Sequence, residues 1–290
     1  VGFRLEGPPP TVEGEQTLAL TLRDGASDLH STTLSIGVRM NDQARKVTFR
    51  SRIDGSLQYY GYLAPRAESS DQKPQGLILT LHGASVEAIG QARAYGAKPG
   101  LHLVAPTNRR PFGFDWEDWG RLDAIEVLDL AQSGLKTDPQ RTYLTGHSMG
   151  GHGTWHLGVT YPDRFAAIAP SAGWISMRSY AGVERVEKNA DRLEALFDRA
   201  KNPSDTLGLV RNLTRRGVYI LHGDADDNVP VDQARTMRQT LGEFHPDFAY
   251  HEQPGAGHWW GNECVDWPPL IDFLTHRERP LDSQVNTIEF

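Results

Sequence analysis

Cys264 is the only cysteine in 290 residues, so no internal disulfide can form and the chain must rely on its hydrophobic core. That leaves the compartment open: exported bacterial proteins also fold without disulfides, so a secreted or periplasmic location fits as well as any other. No run of eighteen apolar residues occurs, so no transmembrane helix and no membrane partner are expected. Positive charge is in deficit. With 30 Lys and Arg against 37 Asp and Glu the formal charge is −7, which disfavours nucleic acid as a partner. The chain begins at Val1 with no signal-peptide pattern, as expected of a trimmed or mature fragment that has lost any targeting segment. Composition leaves the oligomeric state undetermined.

What is present suits a globular enzyme-sized chain. Hydrophobic residues make up 38% and there are seven tryptophans, enough for one large α/β domain with some residues left over. Residues 1–45 read as a β-rich N-terminal segment, with alternating runs at Gln16–Leu22 and Thr32–Val38 and a linker signal at Pro8–Pro10. Those strands are expected to pack on the catalytic domain or to end a truncated β-domain. Residues 46–290 read as that domain: a doubly wound, mostly parallel sheet with helices on both faces. Its hairpin is Val47–Arg50 with Leu57–Leu63, turning through Asp54-Gly55. Strands follow at Gly76–Leu81, Leu101–Ala105, Arg141–Thr145, Phe165–Ala169, Gly217–Leu221 and Phe248–Tyr250. Helices are expected at Val86–Ala97, Trp119–Leu130, His152–Thr160, Val231–Leu241 and Val265–Thr275. Residues 174–216 form an insertion, helical over Asp191–Ala200, that is either a lid or a surface helix completing the wrap.

Gly146-His147-Ser148-Met149-Gly150 fits G-x-S-x-G, a strand-to-helix turn that lifts a serine hydroxyl clear of its neighbours. So tight a turn needs small residues two positions either side of the serine. Alone the pattern is weak. An acid and a histidine follow it, each on a loop after a strand: Asp226 in His222-Gly223-Asp224-Ala225-Asp226, and His258 in Gly255-Ala256-Gly257-His258. The order Ser, Asp, His is that of the α/β-hydrolases and differs from the chymotrypsin and subtilisin orders.

With Leu81-His82-Gly83, Gly146–Gly151, His222-Gly223-x-x-Asp226-x-x-Val229-Pro230 and Gly257-His258, the chain resembles the catalytic domain of the prolyl oligopeptidase-like α/β-hydrolases. It also resembles the related small bacterial esterases of the feruloyl and acetyl-xylan type. The resemblance covers about residues 46–276. It implies Ser148 as nucleophile, His258 as its base and Asp226 as the acid, with Asp224 and Asp227 read as solvated loop carboxylates. The backbone N–H groups of Met149 and Ala84 (or Ser85) are the expected oxyanion donors, and His82 is expected to anchor the Ala84 loop.

Loops at the C-terminal edge of the sheet carry Trp174, Trp259, Trp260 and Trp116, with Phe112, Phe114 and Trp119 nearby. Of these, Trp174, Trp259, Trp260 and Trp116 are the expected substrate wall, together with His147. His147, His152 and His156 have no acidic partner at ligand spacing, and the aspartates 224, 226 and 227 lack the spacing of a calcium loop. No metal and no cofactor are therefore expected. The reaction implied is hydrolysis of a carboxylic ester, small, aryl or carbohydrate-linked. A serine peptidase of the prolyl oligopeptidase type is the second reading; residues 1–45 are too few for that group's propeller, and Ala84 stands where a tyrosine is often found. An inactive binding module is the third.

Overall fold

The computed structural model describes residues 10–66, 75–110, 115–182, 191–200 and 202–285. Pro8, Pro9, Phe112 and Phe114 lie outside them. In chain order the strands and helices are β1 Gly14–Asp24, β2 Ser27–Val38, β3 Arg45–Arg50, β4 Leu57–Leu63, β5 Gly76–Leu81, α1 Ala88–Arg93 and β6 Leu101–Ala105. Then come α2 Asp118–Leu135, β7 Thr142–His147, α3 Met149–Thr160, β8 Ala167–Ser171, α4 Met177–Tyr180 and α5 Arg192–Ala200. The chain closes with β9 Gly217–Gly223, α6 Asp232–Gly242, β10 Phe248–Gln253 and α7 Pro268–Thr275.

Eight strands form one sheet in the order β10-β9-β8-β7-β5-β6-β4-β3. The run from β10 to β6 is parallel, and β4 and β3 continue it antiparallel. Strands buried on both faces sort their side chains by alternation. On one face Leu77, Leu79, Leu144, Ile168, Val218 and Ile220 meet α2, α3 and α6 through Val127, Leu128, Trp155, Leu157, Met237 and Leu241. On the other, Ile78, Tyr143, Ala167, Ala169, Tyr219 and Leu221 meet α1 and α7 through Ile89, Ala92, Leu270 and Leu274. β5 has β6 on one side and β7 on the other, so chain order reverses there, and a crevice opens beyond the C-terminal ends of β5 and β7.

Boundaries moved for local reasons. α7 starts at Pro268, not Val265, because Trp267 precedes Pro268-Pro269 and takes an extended conformation, leaving a proline at the first helical position. α2 runs on to Leu135, where Lys136 turns left-handed at φ 54° and ends it. α1 is shorter than Val86–Ala97. α3 begins at once after Ser148 despite Gly150 and Gly151, whose low helix propensity is overridden by burial. The N-terminal segment is an antiparallel ribbon, β1 with β2, forming its own sheet. Neither strand contains a fully buried residue. No described helix is long and apolar enough to cross a membrane.

Candidate active site

Ser148 sits between β7 and α3 with φ 61° and ψ −120°, a conformation disfavoured for a residue with a side chain. The turn is held by its neighbours: Ser148 N–H donates to Ser171 O at 3.0 Å, and its carbonyl accepts from Gly151 and His152 N–H. Small residues are required around it. A Cβ at Gly146 would lie 2.3 Å from Gly150 O, and one at Gly150 would lie 2.0 Å from Leu81 O.

Three side chains from three loops form a hydrogen-bonded row. Ser148 Oγ–H donates to His258 Nε2 at 2.9 Å, and His258 Nδ1–H donates to Asp226, 2.8 Å from Oδ2 and 3.0 Å from Oδ1. Asp226 Oδ1 also accepts the N–H groups of Asn228 and Val229, both at 2.9 Å. His222 Nε2–H donates to the Val229 carbonyl at 2.9 Å and also stands 3.2 Å from Asp226 Oδ2. Burial alone would push the Asp226 pKa up, but the hydrogen bonds from His222, His258, Asn228 and Val229 outweigh it and hold the carboxyl well below the usual carboxylate range. A fixed anion at that position sets the His258 tautomer so that Nε2 offers a lone pair to the serine. Asp224 and Asp227 are exposed, and Asp224 instead accepts Gly255 N–H.

Met149 is the first residue of α3, so its N–H has no acceptor within the helix. Gly83–Val86 forms a turn closed by Val86 N–H to Gly83 O at 3.3 Å, and Ala84 and Ser85 face the same cleft as Ser148. His82 braces that turn from beneath, with Nδ1 2.9 Å from Gly83 O and Nε2 3.1 Å from Thr107 O. Burial lowers its pKa, against the pull of the two carbonyl contacts.

The cleft holds about 570 Å³ and is lined by Gly83, Ala84, Val86, Arg93, His147, Ser148, Asn228, His258, Trp259 and Asn262, among others. Arg93 is the one formally charged side chain among its described lining residues. Trp259, half exposed, stands edge-on to His147 at 5.1 Å and forms a lip. Three of the four expected wall tryptophans pack in or against the core instead. Trp116 is fully buried, donates Nε1–H to His82 O at 3.1 Å and packs against His82. Trp174 is buried in a stack between His152 and Tyr180, with ring centroids at 5.3 and 4.5 Å. Trp260 likewise packs on the core beneath α7, its N–H donating to Cys264 Sγ, and does not line the cleft. The insertion reaches the rim at one described point, where Tyr180 O–H donates to Asn228 Oδ1 at 3.0 Å.

His147 lines the cleft and positions its neighbour: its Nε2–H donates to the His258 carbonyl at 2.7 Å. Burial, reinforced by the adjacent His258, pushes the His147 pKa down to about 3. The unfolded chain therefore takes up a proton on this group below about pH 6.5 that the folded chain refuses. Stability from this group is complete above that value and falls by about 1.4 kcal/mol per pH unit as pH drops towards 3. His147→Gln should flatten the loss of urea stability between pH 7 and pH 5; an unchanged slope would contradict the assignment.

His222 was visible in the sequence only as part of the His-Gly-x-x-Asp pattern, and its contact with Asp226 was not anticipated. Spacing along the sequence gives His152 no acidic partner, yet two carboxylates from the loop before α2 face it, Asp115 Oδ2 at 3.3 Å and Glu117 Oε1 at 3.4 Å. No spacing rule within α3 could have found residues so far upstream.

The sheet order, the serine turn and the row of side chains define an α/β-hydrolase, and a serine hydrolase among them. Residues 109–267 match the prolyl oligopeptidase family of peptidases, to which this chain belongs. An uncharacterized secreted protein of Arthroderma benhamiae is 34% identical over 281 residues, covering 90% of this chain and 30% of that protein. The chain spans about a third of the length of the curated relatives it matches. Among solved structures, a ferulic acid esterase superposes with TM-score 0.59 at 17% identity over 81% of this chain and 99% of that one. An acylaminoacyl peptidase bound to a chloromethyl ketone superposes with TM-score 0.56 at 18% identity over 82% of this chain and 43% of that one.

Proposed function

We propose that this protein hydrolyses carboxylic esters through an acyl-enzyme on Ser148. The observation that carries the reading is the row Asp226–His258–Ser148, with its 2.8 and 2.9 Å contacts. His258 takes the hydroxyl proton as Ser148 attacks the ester carbonyl, and Asp226 stabilises the imidazolium so formed. The N–H groups of Met149 and Ala84 receive the oxyanion. His258 then protonates the departing alcohol, and water repeats the sequence to release the acid.

Ester rather than peptide is favoured by the cleft. Its described lining residues contain no carboxylate to hold a peptide's α-amine; beside Ser148 they are the small Gly83, Ala84 and Ser85, with one aromatic lip, Trp259. The likeness in fold to a ferulic acid esterase agrees with this reading. A panel of acetylated and feruloylated sugars, short aryl esters and aminoacyl anilides tests it. Turnover of the esters well above that of the anilides is the expected result, and the reverse ranking would favour the peptidase. Arg93 adds a finer expectation. Esters bearing a carboxylate on the leaving group should bind better than neutral ones, and Arg93→Gln should raise their KM about fivefold, the effect of losing one exposed charge pair. No change in the ratio of acidic to neutral substrates would remove Arg93 from the site.

A further inference from the structure

We propose that Asp115, Glu117 and His152 form a divalent metal site of the zinc class, behind the serine turn and separate from the cleft. His152 Nδ1 lies 2.9 Å from the Trp174 carbonyl, which can only accept, so Nδ1 carries the hydrogen. In the neutral ring Nε2 is then a lone pair, and it faces two carboxylate oxygens at 3.3 and 3.4 Å. Three acceptors converge with all their ligand atoms within 4.8 Å of one another. Either a shared proton or a cation must sit among them.

A proton on Nε2 answers this poorly. It would reach Glu117 Oε1 only through a long hydrogen bond at 3.4 Å, with Asp115 Oδ2 at 3.3 Å, whereas charge-assisted N–H···O bonds run about 2.7–2.9 Å. Asp115 Oδ2 has no hydrogen-bond partner, although the residue is only 8% exposed. A zinc ion answers it well. Ligand atoms about 2.0–2.1 Å from a tetrahedral zinc are about 3.3–3.4 Å apart, which matches the two measured edges. Its charge balances the two carboxylates. Metal-bound histidines typically donate their other N–H to a carbonyl, as His152 does to Trp174, and Asp115 Oδ1 is fixed by Trp116 N–H at 2.7 Å. Glu117 is partly exposed and lines a cleft of about 370 Å³ beside Asn108 and Trp119, which gives an ion a route from solvent and room for a water as fourth ligand.

The site touches no reacting atom, and its role is positioning. Asp115 N–H donates to Met149 Sδ at 3.0 Å, and Trp116 Nε1–H holds the His82 carbonyl. A metal there would tie the loop before α2 to the first turns of α3, at the back of the proposed oxyanion site.

The test is metal uptake by the whole chain after chelation and re-addition of zinc, counted by mass spectrometry, with melting temperature as a second readout. One zinc per chain, a melting temperature raised by zinc and the visible bands of tetrahedral cobalt(II) on substitution are expected. Glu117→Gln, at a partly exposed position that keeps the fold by circular dichroism, should weaken zinc binding at least about 100-fold, at the upper end of the loss for an outer-shell partner. His152→Gln should abolish it, with Glu117→Gln carrying the test if that variant does not fold. Less than stoichiometric uptake at saturating zinc, or binding that survives Glu117→Gln unchanged, would overturn the proposal.

Discussion

Ser148→Ala is expected to lower kcat for p-nitrophenyl acetate about 10⁶-fold, the scale on which removal of a serine nucleophile acts. The fold should be unaffected. Alanine keeps the Cβ, so the cost of the backbone at φ 61° is unchanged, and the one side-chain hydrogen bond recorded for the hydroxyl is that to His258. Residual rate over water would come from oxyanion donors and binding alone. Steady-state kinetics with a thermal melt on the same sample checks both halves. Turnover within a few-fold of the parent protein would mean that another group attacks the ester.

Asp226→Asn should cost about 10⁴-fold in kcat, while Asp224→Asn and Asp227→Asn should stay within a few-fold of the parent. An amide can turn an N–H towards His258, which moves the ring hydrogen to Nε2 and points a donor at the serine instead of an acceptor. The carboxylate is also what His222, Asn228 and Val229 converge on, and a neutral side chain does not reward that convergence. The other two aspartates are exposed and lie outside the row. There is a stability counterpart. Because the folded pKa of Asp226 is held below its unfolded value, its contribution is complete above about pH 4 and is lost as pH falls towards the folded value. A larger kinetic loss in Asp224→Asn than in Asp226→Asn would identify the wrong acid.

The alternation of β5, β7, β8 and β9 and the glycines around Ser148 made the sheet and the serine turn readable from sequence, because each is a local consequence of burial or of a steric limit. Ser148, Asp226 and His258 were legible as a set because chain order alone brings the ends of β7, β9 and β10 to one edge. The aromatic wall was not. Trp116 and Trp174 follow strands at the edge where ligands bind, but their loops fold back under α3, where His82 O and His152 supply partners that sequence position does not reveal. The same folding back brings Asp115 and Glu117 to His152. Gln16–Leu22 and Thr32–Val38 show clear strand alternation, yet the ribbon they join fully buries neither strand, since alternation reports one-sided patterning and not the presence of a partner.

The most direct measurement of the central claim is labelling of the folded protein with a fluorophosphonate, followed by peptide mass spectrometry. A nucleophilic serine activated by His258 should yield a single adduct on Ser148, absent from Ser148→Ala and strongly slowed in Asp226→Asn. Failure of the folded protein to label, or an adduct that persists in Ser148→Ala, would contradict it.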